Sequence, residues 1–305
     1  MKAAIVQAML AIAAVVFAHV SEAQTQELTG VLKRVKDSGE ITLGVRDSSV
    51  PFSYLDQNQQ PVGYSVDLCL RVVDAVKAEL KLPTLKVIYN PVTSANRIPL
   101  IANGTVEIEC GSTVNNVERQ QQVAFSDTTF IVSTKFVAKR ANNLKTLAAL
   151  KGKTVVCTAG TNTLARVNGL NQKNNLGMTI LTAKDHAESF LYVETDRAVA
   201  FFEDDILLNG LVANARNPAD YALSTEGYSI DPYALMLPRG DPAFKRVVDR
   251  MLVDVYKSGG IYPIYDKWFA KPIPPRGVML NFPLSPALKR AFEKPTDSPE
   301  PAAYE

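Results

Sequence analysis

Nine side chains in this 305-residue sequence carry the groups of an ion-holding site, and most stand just past a predicted strand. Arg46 follows the β-branched run 41–45, and Ser94 and Arg97 follow the run 85–89. Ser112, Thr113 and Arg119 follow the run 106–110. Further on, Gly160-Thr161 follows 154–157, His186 follows 178–181, and Asp204 follows 198–202. Ligands of open α/β sheets sit outside the carboxyl ends of the strands, so these residues are expected to converge. A guanidinium holds a carboxylate through paired hydrogen bonds, and a helix N-terminus favours an anion. A lone carboxylate suits an ammonium group. The set implies a ligand with two carboxylates and one ammonium, an acidic α-amino acid.

The elements that must position these residues alternate. After the strand at 41–45, residues 67–80 place Cys69, Val72, Val73, Val76 and Leu80 at helical spacing. A strand at 85–89, a helix at 97–102 stopped by Asn103-Gly104, and a strand at 106–110 complete one α/β unit. The pattern then restarts with one long strand at 130–139 and a short helix at 144–150. A strand at 154–157 and a helix from Asn162 follow, then a strand at 178–181. Asp185-His186-Ala187-Glu188 opens a helix with a capping-box pattern, and a strand at 198–202 and a helix at 206–212 close the second unit. A strand at 234–237 precedes Asp241-Pro242, an N-cap and first-turn pair, and an apolar stripe from Phe244 to Val255. This order predicts an α/β fold of two lobes, with mixed or parallel sheets flanked by helices and a two-strand hinge. The crossings are expected near 132–136 and 228–233. Residues 24–133 and 234–285 would form lobe 1, residues 134–233 lobe 2, and residues 286–305 a C-terminal tail, loose beyond Lys294, where it is too polar to order itself.

The N-terminus reads as a signal peptide over residues 1–23. Met1-Lys2 is the positive start, 3–17 the apolar run, and Ser21-Glu22-Ala23 the small-residue cut site. The chain is therefore expected to be secreted. A net charge of +2 without basic runs argues against nucleic acid as a partner. Three cysteines leave open one disulfide with a free thiol, or none. Cys69 reads as a helical core residue, and Cys110–Cys157 is the pairing expected if there is one. No metal-ligand spacing, phosphate loop or nucleophile motif stands beside His186 and Asp204, so neither metal nor cofactor is expected. The alternative is a dehydratase or lyase on the same fold that uses those two residues as acid and base.

Several segments are similar to one family. Gly44-Val45-Arg46, Asn96-Arg97-Ile98-Pro99-Leu100, Glu109-Cys110-Gly111-Ser112 and Asn115-Asn116-Val117-Glu118-Arg119 resemble the periplasmic amino-acid-binding proteins of solute-binding family 3, in their glutamate/aspartate branch. So do Ala183-Lys184-Asp185-His186, Asp204-Asp205 and Pro272-Ile273-Pro274-Pro275. The resemblance covers about Leu32 to Phe292. It implies that Arg119 clamps the α-carboxylate with Ser112, Thr113 and the Thr161 loop, and that Asp204 takes the ammonium. Arg46, Ser94, Arg97 and His186 would hold the side-chain carboxylate of glutamate or aspartate. It also implies a monomer that closes like a hinged trap, has no enzymatic activity, and delivers its ligand to an inner-membrane ABC permease.

Overall fold

The structure, a computed structural model, describes residues 27–304. The expected signal segment, 1–23, lies outside them. The chain opens with α1 (Gly30–Ser38) and β1 (Glu40–Val45), then a small sheet of β2 (Ser48–Ser49), β3 (Ser53–Leu55) and β4 (Pro61–Val62). Next come α2 (Tyr64–Glu79), β5 (Lys86–Pro91), α3 (Arg97–Ala102), β6 (Ile108–Glu109), α4 (Val117–Gln120) and β7 (Val123–Phe125). β8 (Phe130–Val132) and β9 (Thr134–Lys139) lead into β10 (Thr154–Thr158), α5 (Asn162–Lys173), β11 (Thr179–Ala183) and α6 (His186–Glu194). Then follow β12 (Ala200–Asp204), α7 (Asp205–Asn214), β13 (Tyr221–Leu223), β14 (Asp231–Tyr233) and β15 (Met236–Pro238). The helices α8 (Pro242–Lys257), α9 (Ile261–Phe269) and α10 (Pro286–Glu293) complete the fold.

Two five-stranded sheets result, in the orders β5-β1-β6-β15-β7 and β11-β10-β12-β9-β13. In each, three strands pair in parallel, the fourth (β15 or β9) runs antiparallel to them, and the edge strand (β7 or β13) pairs antiparallel with that one. Apolar clusters lie on both faces of each sheet. One is centred on α2, α8 and α9, and a smaller one contains Ile101, Val106, Phe125 and Met236. The second sheet is covered by clusters around Phe136 and Phe202 on one side and Phe190 and Phe201 on the other. The α8 stripe, Phe244, Val247, Val248, Met251, Leu252 and Val255, is buried as its spacing predicts. Each such side chain contributes roughly 1.5–3 kcal/mol.

The run expected as one strand at 130–139 is two. It breaks at Ser133, whose N–H donates to Asp205 Oδ1 (3.3 Å) and whose carbonyl accepts from Asp205 N (2.9 Å). The chain thereby leaves one sheet and enters the other. β8 pairs antiparallel with β14, Phe130 facing Tyr233 and Val132 facing Asp231. The two crossings thus run side by side, wrapped by the rings of Phe52, Tyr64, Phe130, Tyr233 and Phe269.

Two expectations are corrected. The disulfide joins Cys69 to Cys110, Cα atoms 6.0 Å apart, and Cys157 is free and buried. Cys110 and Cys157 cannot pair because Cys110 follows β6 of the first sheet and Cys157 lies in β10 of the second, whereas α2 packs Cys69 against the first. The tail is not loose. α10 buries Leu288 and Phe292, and Tyr304 is buried with its hydroxyl 2.7 Å from Thr128 Oγ1. Thr128 N donates to Thr296 O and Asn115 Nδ2 to Asp297 O. Composition alone undervalued these few apolar anchors among prolines and charges.

Candidate functional site

The first sheet delivers three arginines. Arg46 leaves the end of β1, held by its own N–H on Ser53 Oγ, and its Nη2 donates to Ser94 Oγ at 2.9 Å. Arg97 is the first residue of α3. Its Nη1 donates to Thr113 Oγ1 at 2.5 Å and to Ser112 O at 3.1 Å, and lies 3.8 Å from Glu109 Oε1. Glu109 Oε2 accepts from Thr113 Oγ1, so this carboxylate fixes both the hydroxyl and the guanidinium. Arg119 stands in a helical turn capped by Asn116, whose Oδ1 accepts from Arg119 N. Its Nη1 donates to Val114 O at 2.8 Å, and Nη2 crosses to the other lobe and donates to Gly160 O at 3.4 Å.

The second sheet supplies the opposing wall. Thr161 caps α5, its hydroxyl accepting from Leu164 N and donating to Thr158 O. That hydroxyl is committed to the cap, so what the loop offers a ligand is its helix N-terminus. His186 opens α6 behind the Asp185 cap; its Nδ1 lies 2.9 Å from Thr158 Oγ1 and 3.2 Å from Glu203 Oε2. Asp204 ends β12. The Tyr233 hydroxyl donates to its Oδ2 in a very short hydrogen bond, and Thr134 Oγ1 donates to Oδ1 at 3.4 Å.

The predicted residues therefore fall into one buried cluster. Arg46, Ser94, Arg97, Ser112, Thr113, Arg119, His186 and Asp204 are all buried, and Thr161 is half-buried beside them. The cluster is incompletely paired. Arg46 Nη1, Arg97 Nε and Ser112 Oγ from one lobe, and His186 Nε2 from the other, are buried without a hydrogen-bond partner. Buried polar groups left so are costly, and a carboxylate would satisfy the guanidinium and hydroxyl donors among them. The mouth of the cleft is a cavity of ≈ 520 Å³ lined by Arg119, Thr161, Asn162, Arg166 and Asp231 among others. Another cavity, ≈ 640 Å³ and bordered by Lys33, Lys36, Glu79 and Lys81, shares no residue with the cluster.

The electrostatics have the same sense. Burial first, then the Arg97 charge, lowers Arg46 to about 10 and Arg119 to about 9, so both stay cationic at neutral pH. Burial lowers His186, with Arg46 and Arg97 acting in the same direction against Glu203. Asp204 is raised well above the usual carboxylate range by burial, then by Glu203 and Asp231. Burial would raise Glu203 too, but His186, the Asp204 N–H and Arg46 together hold it low.

The lobes touch through glycine. Gly160 has φ +75°, and a Cβ there would lie 2.5 Å from Ala95 Cα in the first lobe. A Cβ on Gly210 of α7 would lie 2.6 Å from Val50 O.

Sequence reasoning missed Glu109, Glu203 and Tyr233. The strand expected at 198–202 runs instead from Ala200 to Asp204, so Glu203, placed just past the expected strand end, is a buried strand residue beside Asp204. Tyr233 lies on β14, where a hinge was read but no chemistry.

The arrangement is the type II periplasmic binding-protein fold, a two-lobed α/β protein with a charged cleft between its sheets. The family model for bacterial extracellular solute-binding proteins, family 3, matches residues 41–271, and the chain belongs to that family. It is 53% identical over 272 residues to an L-glutamate/L-aspartate-binding protein of Pseudomonas aeruginosa, covering 89% of this chain and 90% of the relative. It is 46% identical over 266 residues to a glutamate/aspartate import solute-binding protein of Escherichia coli, covering 87% and 88%. Among solved structures, an ABC uptake transporter substrate-binding protein from Streptococcus pneumoniae with bound histidine superposes with a TM-score of 0.71 at 19% identity, covering 80% of this chain and 98% of that one.

Proposed function

We propose that this chain captures L-glutamate or L-aspartate in the cleft and presents it to an inner-membrane ABC permease. The observation that carries the reading is the set of three buried arginines, two of which (Arg46 at Nη1 and Arg97 at Nε) keep an unfilled donor, opposed by a buried carboxyl group at Asp204. Arg119 takes the α-carboxylate with Ser112, Thr113 and the amide end of α5 at Thr161. Asp204 takes the ammonium, which restores the ionised form that burial disfavours. Arg46, Ser94, Arg97 and His186 take the side-chain carboxylate. Lobe 1 is residues 24–133 and 234–285, lobe 2 is 134–233, and the β8–β14 pair serves as the hinge. The chain works as a monomer in the periplasm after cleavage near Ala23.

Calorimetric titration with glutamate, aspartate, glutamine and asparagine tests this. Both acids should bind at least about 100-fold more tightly than their amides, a difference of about 2.8 kcal/mol. An amide leaves a buried guanidinium unmatched. Equal affinity for acid and amide overturns the assignment. Recovery of the bound amino acid unchanged after prolonged incubation separates capture from the dehydratase or lyase alternative.

A further inference from the structure

Glu203 is a buried carboxylate that, among the described residues, has no hydrogen-bond or ion-pair partner in the other lobe and no part in the proposed ligand contacts. Its Oε1 accepts from Thr163 Oγ1 (3.3 Å) and from Asp204 N (3.1 Å), and its Oε2 faces only His186 Nδ1. The protons around that imidazole can be assigned from the hydroxyls. Ser189 Oγ donates its one hydrogen to Asp185 O at 2.9 Å. Thr158 Oγ1, 2.8 Å from Ser189 Oγ, must therefore donate to it. Having spent its hydrogen, Thr158 Oγ1 accepts from His186, so Nδ1 carries the proton, and Glu203 Oε2, which accepts no hydrogen bond, stands 3.2 Å away as its ion-pair partner. A neutral imidazole in this tautomer presents a bare lone pair at Nε2, the buried atom without a partner. That lone pair would repel a carboxylate. The imidazolium would hold one.

We propose that Glu203 positions and charges His186 so that capture of the acidic side chain takes up one proton from solvent at Nε2. The proposal rests on the glutamate/aspartate reading above, since the incoming carboxylate supplies the second anion. The groups facing the imidazole set the balance. Arg46 and Arg97 oppose its charging, and a bound carboxylate neutralises their effect, while Glu203 favours it. The other elements packed on α6 add little. β10 presents the Thr158 hydroxyl, β2 is two serines, and β11 contains no titratable residue. On β9, Lys135 lies opposite Glu203 in register and acts on Asp205, and Lys139 is held by Glu194 O and Asp196 at the far end of the helix. Glu203 is thus a positioning residue that reaches the ligand through His186.

The chain contains two histidines, His19 and His186, so a His19→Gln chain has one imidazole whether or not residues 1–23 are removed. Its ring ¹⁵N signals then report tautomer and charge directly. At about pH 8, above the ordinary histidine range, the free chain should show neutral His186 protonated at Nδ1. Saturation with L-glutamate should give the imidazolium. Calorimetry of L-glutamate binding in buffers of different ionisation enthalpy should give uptake of close to one proton. Affinity should fall about tenfold per pH unit as pH rises through that window. Glu203→Gln keeps an amide of the same shape beside Nδ1 but removes the charge. It should lose most of the proton uptake and weaken glutamate at least tenfold, with thermal unfolding showing the fold intact. Tight glutamate binding without proton uptake, or with a neutral Nε2-protonated ring, overturns this inference alone. Failure to bind L-glutamate at all overturns the functional reading and this inference with it.

Discussion

Removing Arg97 should collapse the preference for acids over amides. The guanidinium is 2% exposed, its Nη1 is held by Thr113 and Ser112, and its Nε has no partner. A ligand carboxylate that engages it gains a hydrogen bond to a charged group, worth about 1.5–3 kcal/mol. Truncating one member of a buried charge pair costs about 2–5 kcal/mol. Arg46, with Nη1 also free, remains to neutralise part of the ligand charge, so the lower part of the range applies. Arg97→Ala should thus cost about 2–3 kcal/mol for glutamate, roughly 30- to 150-fold in Kd. Glutamine brings no side-chain charge and should lose less than about fivefold, under roughly 1 kcal/mol. The readout is the glutamate/glutamine affinity ratio by calorimetry, with competition for the weaker ligand. Thermal unfolding of the ligand-free variant accounts separately for any destabilisation, because Glu109 keeps Thr113 but loses its cation. A ratio unchanged from the parent would refute the placement of the side-chain carboxylate at Arg97. Arg119→Ala supplies the contrast, since it should abolish glutamate and glutamine binding together.

Three further outcomes follow from the same geometry. Gly160→Ala puts a Cβ 2.5 Å from Ala95 Cα at a φ of +75°; closure should fail and every ligand should weaken by more than about tenfold, while small-angle scattering with ligand stays that of the open form. Asp204→Asn keeps an acceptor for Tyr233 and removes a carboxyl raised by burial, Glu203 and Asp231. Because the folded pKa of Asp204 is raised, its stabilising contribution is present below the ordinary carboxylate pKa and is lost as pH rises through the folded value. The ligand-free variant should therefore melt higher than the parent at neutral pH, with the gap closing in acid, yet bind glutamate far more weakly. Reduction of Cys69–Cys110 releases a sequence separation of 41 residues, worth about 4 kcal/mol of chain entropy; the melting temperature should drop, and Cys157 should stay unreactive to thiol reagents until the chain unfolds.

The two-unit fold was legible because helical stripes and β-branched runs carry their period locally. The stripe from Phe244 to Val255 and the helix at Arg97–Ala102 needed no tertiary information. The residues proposed to bind were legible because each lies at or shortly past a strand end or near a helix start. What escaped depended on contacts distant in sequence. The break at Ser133 is set by Asp205, and the cysteine pairing by how α2 lies on β6. The order of the tail rests on where Leu288, Phe292 and Tyr304 find apolar surface. Glu109 stood inside an expected strand and Glu203 just past one, and only burial next to Arg97 and His186 gives them a purpose.

A crystal structure of the chain with L-glutamate tests the central claim most directly. The account predicts the α-carboxylate on Arg119, the ammonium on Asp204, and the side-chain carboxylate between Arg46, Arg97 and His186 Nε2. A ligand lying the other way round, or a glutamate outside the cleft, would contradict it.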